Sequence, residues 1–164
     1  MPQPLVISPD QRAVPLGVVG EELTVLASSE QTGSYEIFCH AGPEGTGPPP
    51  HHHPWDEALF VIEGEVAITV GGGGEQMATA GTLAHIPAGT THCFRIGEGG
   101  AVMLSITSRS GAAAFFAAVA AQVSPTEPDL AALVTVAAAH GVRVAVAAEW
   151  AKTGVIDHDR RSRR

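Results

Sequence analysis

Three histidines and one glutamate are the residues of this 164-residue chain that are best suited to chemistry. His51 and His53 lie two positions apart, so on an extended strand both imidazoles point to the same side. Glu57 follows after one short loop, and His92 comes shortly after the turn at Pro87–Gly89. Imidazole nitrogens beside a carboxylate form a set of donors that suits a divalent transition metal.

These residues stand at fixed positions of two glycine-bounded motifs. The first motif is filled by Gly45, His51, His53, Glu57 and Gly64; the second is filled by Gly81, Pro87, Gly89 and His92, with Ile96 where an asparagine is expected. Over residues 45–96 the pair resembles the two motifs of the cupin superfamily. A looser likeness to quercetinase-like, single-domain bacterial cupins extends over about residues 20–145.

The resemblance implies one divalent metal ion (iron, manganese, nickel, cobalt, copper or zinc) bound by His51, His53, Glu57 and His92. It leaves two roles open for Glu57, which could be a fourth metal ligand or a catalytic base that stays off the metal. His52 is expected to point away from the ion, because neighbouring residues on a strand face opposite sides.

Other polar and aromatic residues near the motifs are candidates for supporting roles. His85 could line the pocket, although a packed strand histidine is the simpler interpretation, and His40 is ambiguous in the same way. Trp55 could gate the mouth of a site, or it could anchor its loop or a partner subunit. Asp56 is interpreted as a solvated loop carboxylate, and Cys93 is expected to face away from His92.

The pattern of apolar residues predicts the character of the pocket. Leu59 and Val61 share the strand face of Glu57, and Ile96 shares that of His92. Arg109 and Lys152 are the two candidate internal cations, and neither lies near a motif. We therefore expect an apolar pocket that takes an apolar or aromatic enol or phenol rather than a charged sugar nucleotide.

Three functions are compatible with these residues. The leading hypothesis is a dioxygenase-like oxidoreductase in which Glu57 takes the proton of an enol or phenol. The second is a non-redox metal-dependent isomerase, or a cyclase similar to the cupins of aromatic polyketide pathways, in which the ion polarises a carbonyl. The third is a non-catalytic protein that binds a small molecule.

Short strands joined by glycine-rich turns predict the scaffold that holds these residues. Strands are predicted over residues 23–27, 35–40, 58–62, 66–70, 92–96 and 101–107, with turns at 28–33, 63–65 and 71–75. The pattern is typical of an antiparallel β-barrel or jelly roll, which is also the cupin fold. The loop from Ala41 to Pro50, which precedes His51, is rich in proline. Because proline restricts the backbone, we expect the chain to be stiff and extended where it reaches His51.

The chain divides into four segments by composition. Residues 1–13 form an irregular lead-in, residues 14–110 the cupin barrel, residues 111–150 a helical extension, and residues 151–164 a partly disordered tail. Two helices are predicted in the extension. The second helix presents Leu130, Leu133, Val134 and Ala137 on one face, and Gly141 is placed to end it.

Charge and cysteine content limit the partners. The net charge is −8, and four of the nine basic residues are arginines at 160, 161, 163 and 164, so the body of the chain repels phosphate backbones. Nucleic-acid binding is therefore not expected. Two cysteines, no signal-peptide pattern and no long apolar run predict a cytoplasmic protein with no membrane partner. The resemblance to small cupins implies a homodimer that acts on a small-molecule substrate.

Overall fold

The structure is a computed structural model, and it describes residues 4–109 and 111–145. Nine strands are present in these residues: β1 Leu16–Val18, β2 Glu21–Ala27, β3 Tyr35–Gly42, β4 His51–His52, β5 Glu57–Val70, β6 Gln76–Thr79, β7 Leu83–Ile86, β8 His92–Ser108 and β9 Arg143–Val144. The helices are α1 Ser29–Thr32, α2 Ala112–Gln122 and α3 Leu130–Ala139, preceded by a 3₁₀ turn at Pro9–Gln11. No helix in these two ranges is both long and apolar enough to span a bilayer.

The strands form one antiparallel sheet that curls back on itself, as predicted. Its main path runs β1-β2-β3-β8-β4-β9, and β5 pairs with β6, β7 and β8. Along the β5–β8 ladder Glu57 pairs with Thr107 at one end, and His92 pairs with Val70 at the other. Although they lie at opposite ends of the ladder, Oε2 of Glu57 and Nε2 of His92 are only 3.2 Å apart. The curl of the sheet therefore brings the beginnings of two long strands together, which gives the jelly-roll architecture expected from the motifs.

The predicted turn at residues 63–65 is wrong. β5 runs without a break from Glu57 to Val70, and β8 is also continuous where the sequence indicated two strands. The pairing of β5 with β8 instead shifts register around Gly64, which is a β-bulge that bends both strands. Gly64 has a φ of 77°, and a Cβ there would lie 2.2 Å from the carbonyl oxygen of Gly100. This glycine is needed for a close approach between strands rather than for a chain reversal.

Smaller differences lie around the sheet. The predicted turn cluster at residues 28–33 contains the one-turn helix α1, which ends at Gly33 in a left-handed conformation. The extension after residue 110 contains the two predicted helices and also the short strand β9. Residues 146–164, which include Lys152 and the predicted disordered tail, lie outside the described residues.

The second predicted helix, α3, ends where the sequence predicted, but the face that it buries differs from the predicted one. Gly141 has a φ of 76°, and the Val142 amide donates to the carbonyl of Ala137, which is a typical glycine-terminated helix end. Leu133, Val136 and Ala137 are buried in α3. By contrast Leu130 is 59% exposed and Val134 is 38% exposed. The periodicity located the helix, but its docking onto the sheet determined the buried face.

Two clusters of buried apolar residues form the core. One lies on the inner face of β5 and β8 and includes Leu59, Val61, Ile96 and Met103. The other joins α2 and α3 to the sheet through Leu23, Phe38, Trp55, Val119 and Leu133. The predicted inward positions of Leu59, Val61 and Ile96 are therefore confirmed. The helices pack over the inner face of the curled sheet, where the two clusters leave a cavity.

Candidate metal centre

The three motif histidines occupy adjoining strand ends. His51 begins β4, His53 follows it, and His92 begins β8. β4 is only two residues long and lies between two neighbours, pairing His51 with His92 on one side and with Val144 of β9 on the other. The amide of Ala145 also donates to the carbonyl of Pro50. The end of the extension thus holds the strand that carries His51, which the sequence did not reveal.

The three imidazoles are close enough to bind one ion. One ring nitrogen from each of His51, His53 and His92 lies within 4.8 Å of the others. The ring centroids are 4.3 Å apart for His51 and His92, and 4.9 Å apart for His53 and His92. His53 and His92 are buried, and His51 is half-buried. The structure therefore brings together the three histidines that the motifs singled out.

Each ring is oriented by the same kind of hydrogen bond. The Nδ1–H groups of His51, His53 and His92 donate to the backbone carbonyls of Pro49, Trp55 and Thr90, each at 2.9 Å. A carbonyl only accepts, so the proton of a neutral ring stands on Nδ1 and the lone pair on Nε2. Backbone carbonyls commonly orient metal-binding histidines in this way.

Glu57 adds a fourth polar group to the cluster. Its Oε2 lies 3.0 Å from Nε2 of His53 and 3.2 Å from Nε2 of His92. Burial raises the pKa of Glu57, but the two histidines outweigh it and hold that pKa well below its usual range. Burial and the charge of His92 lower the pKa of His51 to about 3. An ionised carboxylate therefore faces imidazoles, and His51 is neutral at physiological pH.

This arrangement fits a metal ion. Protons on Nε2 of His53 and His92 would join these atoms to Glu57 by hydrogen bonds; when both rings are neutral, their lone pairs and the carboxylate oxygen converge, and a metal ion can take the place of those protons. Donor atoms about 2.1 Å from a shared ion stand roughly 3.0 to 3.4 Å apart, which agrees with the two Glu57 distances. Glu57 is not part of the group in which all donor atoms are mutually close, so its two predicted roles, ligand and base, remain predictions.

The two motif loops are fastened to each other beside the cluster. The Gly89 amide donates to the carbonyl of His53, and the Ala88 amide donates to Oδ1 of Asp56 at 3.0 Å. The Ser108 hydroxyl donates to the other carboxylate oxygen of Asp56. These bonds lower the pKa of Asp56. Asp56 is exposed as predicted, but it also connects both motifs.

Trp55 is an anchor rather than a gate. Its indole is only 5% exposed and stacks on the ring of His53, with centroids 4.5 Å apart and planes 11° apart. Its carbonyl accepts the His53 Nδ1–H. The same side chain packs in the cluster formed with α2 and α3. Trp55 therefore links the orientation of His53 to the position of the helices.

The remaining histidines have separate environments. His52 is half-buried on β4, pairs with Arg143 and is outside the three-histidine group, as expected. His85 is exposed on β7, so neither proposed role, pocket lining or packed strand residue, is correct. Arg109 is exposed and is not an internal cation.

His40 is one of the residues that line the cavity. It is buried, with Nδ1 at 3.0 Å from Oε2 of Glu21 and Nε2 at 2.8 Å from Oγ of Ser105. Glu21 also lines the cavity. Glu21 was not predicted as a site residue from the sequence. Its only signal was the position at the start of an alternating strand, where Glu21 shares the inward face of Leu23.

The cavity that contains the cluster is small and mostly apolar. It has a volume of about 70 Å³, and Glu57, His40 and Thr107 line it with the three histidines. Its apolar wall comes from both the sheet and the extension, as Phe94, Phe115, Phe116, Val119 and Leu133. An apolar pocket is therefore present, but Leu59, Val61 and Ile96, from which it was predicted, pack in the core and are not among its lining residues. The helices, in which the sequence indicated no chemistry, supply much of its wall.

Known proteins share these motifs and this fold. The family described as Cupin domain (Cupin_2) matches residues 38–107. Quercetin 2,3-dioxygenase from Bacillus subtilis is 30% identical over 98 residues, which are 58% of this chain and 29% of that protein. The chain thus matches less than a third of that relative's length.

Two solved structures share the fold at low identity. KdgF from Halomonas sp. superposes with a TM-score of 0.58 at 17% identity, over 65% of this chain and 94% of that one. The polyketide cyclase RemF from Streptomyces resistomycificus superposes with a TM-score of 0.55 at 18% identity, over 65% and 77%. The motifs, the curled sheet and the matched domain agree: residues 38–107 of this chain match a cupin domain, and the two solved structures have the same fold.

Proposed function

We propose that this protein is a metal-dependent oxidoreductase of the dioxygenase type that acts on a compact enol or phenol. The observation that carries the proposal is the convergence of three oriented Nε2 atoms and one ionised carboxylate in an apolar cavity. The similarity to quercetin 2,3-dioxygenase supports the redox reaction over other cupin chemistries.

The residues of the candidate site have two proposed roles, metal binding and proton transfer. His51, His53 and His92 would hold a divalent transition metal, which supplies a Lewis acid and a site for dioxygen or substrate oxygen. Glu57 would take the proton of the substrate hydroxyl, because it is an ionised carboxylate that lies beside the imidazoles of the cluster. Trp55 and the three backbone carbonyls keep the imidazoles in place. The apolar wall excludes water from the anionic substrate.

The size of the cavity restricts the substrate. A cavity needs about 10–15 Å³ to hold a single water, so a volume of about 70 Å³ makes this a small site that is larger than one water. A compact enol such as a short-chain 1,3-diketone suits this space better than a three-ring aromatic. A larger substrate requires α2 and α3 to move away from the sheet.

The test is oxygen consumption by protein loaded with each of iron, manganese, nickel, cobalt and copper in turn, with acetylacetone and catechol as substrates. We expect metal-dependent oxygen uptake that His51→Ala abolishes and Glu57→Gln reduces at least 100-fold. His85→Ala is the matched control, because His85 is an exposed histidine outside the cluster, and it should retain full activity. Uptake that survives complete metal removal would disprove the proposal.

A non-redox isomerase or cyclase is the second candidate, and one observation favours it. Glu21 and His40 form a buried pair, 3.0 Å apart, that lines the same cavity as Glu57. A reaction that moves a proton from one carbon to another can use a second proton-carrying group beside the general base. Equal turnover with and without oxygen would support this candidate. Tight binding with no product under either condition would support a non-catalytic binding protein.

We also propose a homodimer that forms through the outer face of the sheet. Phe60, Ile62, Leu83 and Ile106 are between 37% and 62% exposed there. Leu83→Glu should shift sedimentation from dimer to monomer, whereas Leu130→Glu, the same change at an exposed leucine of α3, should not. A wild-type protein that sediments as a monomer would refute the proposal.

A further inference from the structure

One hydroxyl in the cavity wall has no hydrogen-bond partner. Thr107 is 1% exposed, and its Oγ1 is the single buried side-chain polar atom without a partner within residues 4–109 and 111–145. Buried hydroxyl groups are nearly always paired, because burial without a hydrogen bond is unfavourable. An unpaired hydroxyl in a native core therefore needs an explanation.

The strand neighbours of Thr107 place this hydroxyl beside the candidate metal centre. Thr107 lies directly opposite Glu57 on β5, so their Cβ atoms are about 5 Å apart. Its side chain lines the same cavity as the three histidines. A short ligand can therefore reach both Thr107 and the histidine cluster.

A second hydroxyl on the same strand face shows the contrast. Ser105 lies two residues before Thr107 and is fully buried, and its Oγ is 2.8 Å from Nε2 of His40. Ser105, which is not among the residues that line the cavity, thus has a paired hydroxyl, whereas Thr107, which does line the cavity, has an unpaired one. The missing partner of Thr107 is best sought in a molecule that enters the cavity.

We propose that Thr107 Oγ–H is a ligand-anchoring group, which donates a hydrogen bond to one oxygen of a small oxyanion, a carboxylate or an enolate. The other oxygen of this ligand lies at the three-histidine cluster. The inference rests on the metal-dependent ligand site proposed above, and it specifies the ligand as one with two oxygens a few bonds apart. The surrounding apolar wall strengthens a hydrogen bond to such an anion.

The experiment measures the affinity of zinc-loaded protein for acetate and for acetylacetone by calorimetry. Zinc has no redox chemistry, so the result does not depend on oxygen uptake. Thr107→Val keeps the side-chain shape and removes the hydroxyl, and Thr107→Ser keeps the hydroxyl. We expect Thr107→Val to bind the preferred probe roughly 10- to 100-fold more weakly, and Thr107→Ser to bind within about threefold of wild type. The preferred probe identifies the ligand as carboxylate or enolate.

A structural role for the hydroxyl gives a different result. If the unpaired hydroxyl serves a ligand, Thr107→Val without probe should bind one zinc and melt no lower than wild type, because no internal bond is lost. The inference would be overturned if wild type and Thr107→Val bound the probes equally, or if wild type bound neither probe. It would also be overturned if Thr107→Val melted at a lower temperature while its probe affinity was unchanged. A failure of oxygen uptake alone would overturn only the redox proposal.

Discussion

Glu36 is predicted to be a main structural support of the cavity wall. It is 2% exposed on β3, and its Oε2 accepts the amide of Ala113 in the first turn of α2 at 3.0 Å. Its Oε1 accepts the amide of Ser29, at the beginning of α1, at 3.4 Å. A carboxylate at a helix N-terminus satisfies free amides and interacts favourably with the helix dipole. The helix that it holds carries Phe115 and Phe116 of the cavity wall.

The cost of losing this carboxylate follows from the two bonds. A hydrogen bond to a charged group contributes about 1.5–3 kcal/mol, and the 3.4 Å bond is long enough to contribute little. Glu36→Ala also leaves a small void. We therefore expect the free energy of unfolding to fall by about 3 kcal/mol in Glu36→Ala and by about 1 kcal/mol in Glu36→Gln, which keeps one acceptor.

Urea denaturation of metal-free protein measures these values directly. Glu22→Ala is the matched control, because Glu22 is an exposed glutamate on the neighbouring strand β2, and it should change stability by less than about 0.5 kcal/mol. A Glu36→Ala protein as stable as Glu22→Ala would refute the argument that Glu36 caps the helices.

Two further predictions concern the bulge and a thiol. Gly64→Ala should lower the free energy of unfolding by at least about 2 kcal/mol in thermal unfolding, because its Cβ meets a backbone oxygen at a positive φ. Gly74→Ala is the control: its Cβ has open space, so stability should change little. Equal effects of the two changes would contradict the bulge assignment. Burial raises the pKa of the half-buried Cys93 thiol, so in a Cys39→Ser background its alkylation rate should keep rising with pH beyond the usual thiol range of about 8.5. A rate that levels off below pH 8.5 would contradict that shift.

The motif residues were predictable because strand geometry and ligand spacing are local properties. Alternation on a strand correctly placed His92 and Ile96 on one face, and the His-x-His spacing correctly separated His52 from its neighbours. The Pro-x-Gly turn before His92 was equally local. Such features follow from residue order and need no knowledge of which strands are neighbours.

The errors came from contacts between distant segments. The bulge at Gly64 looks like a turn in sequence, since only the partner β8 makes a continuous strand possible there. The roles proposed for Glu36 and Thr107 depend on which elements pack beside their strands, and the local sequence pattern does not contain that information. The buried face of α3 and the pairing of β9 with β4 likewise depend on docking.

Metal content tests the central claim most directly. Wild-type protein, expressed without an affinity tag and purified without chelator, should contain one divalent transition metal ion per chain by elemental analysis. Each of the three cluster variants, His51→Ala, His53→Ala and His92→Ala, should contain less than about one tenth of that amount, because removal of one of three ligands is expected to abolish tight binding. The control variant His85→Ala should contain as much metal as wild type. Stoichiometric metal in all three cluster variants, or a metal-free wild type that takes up no ion on titration, would contradict the account.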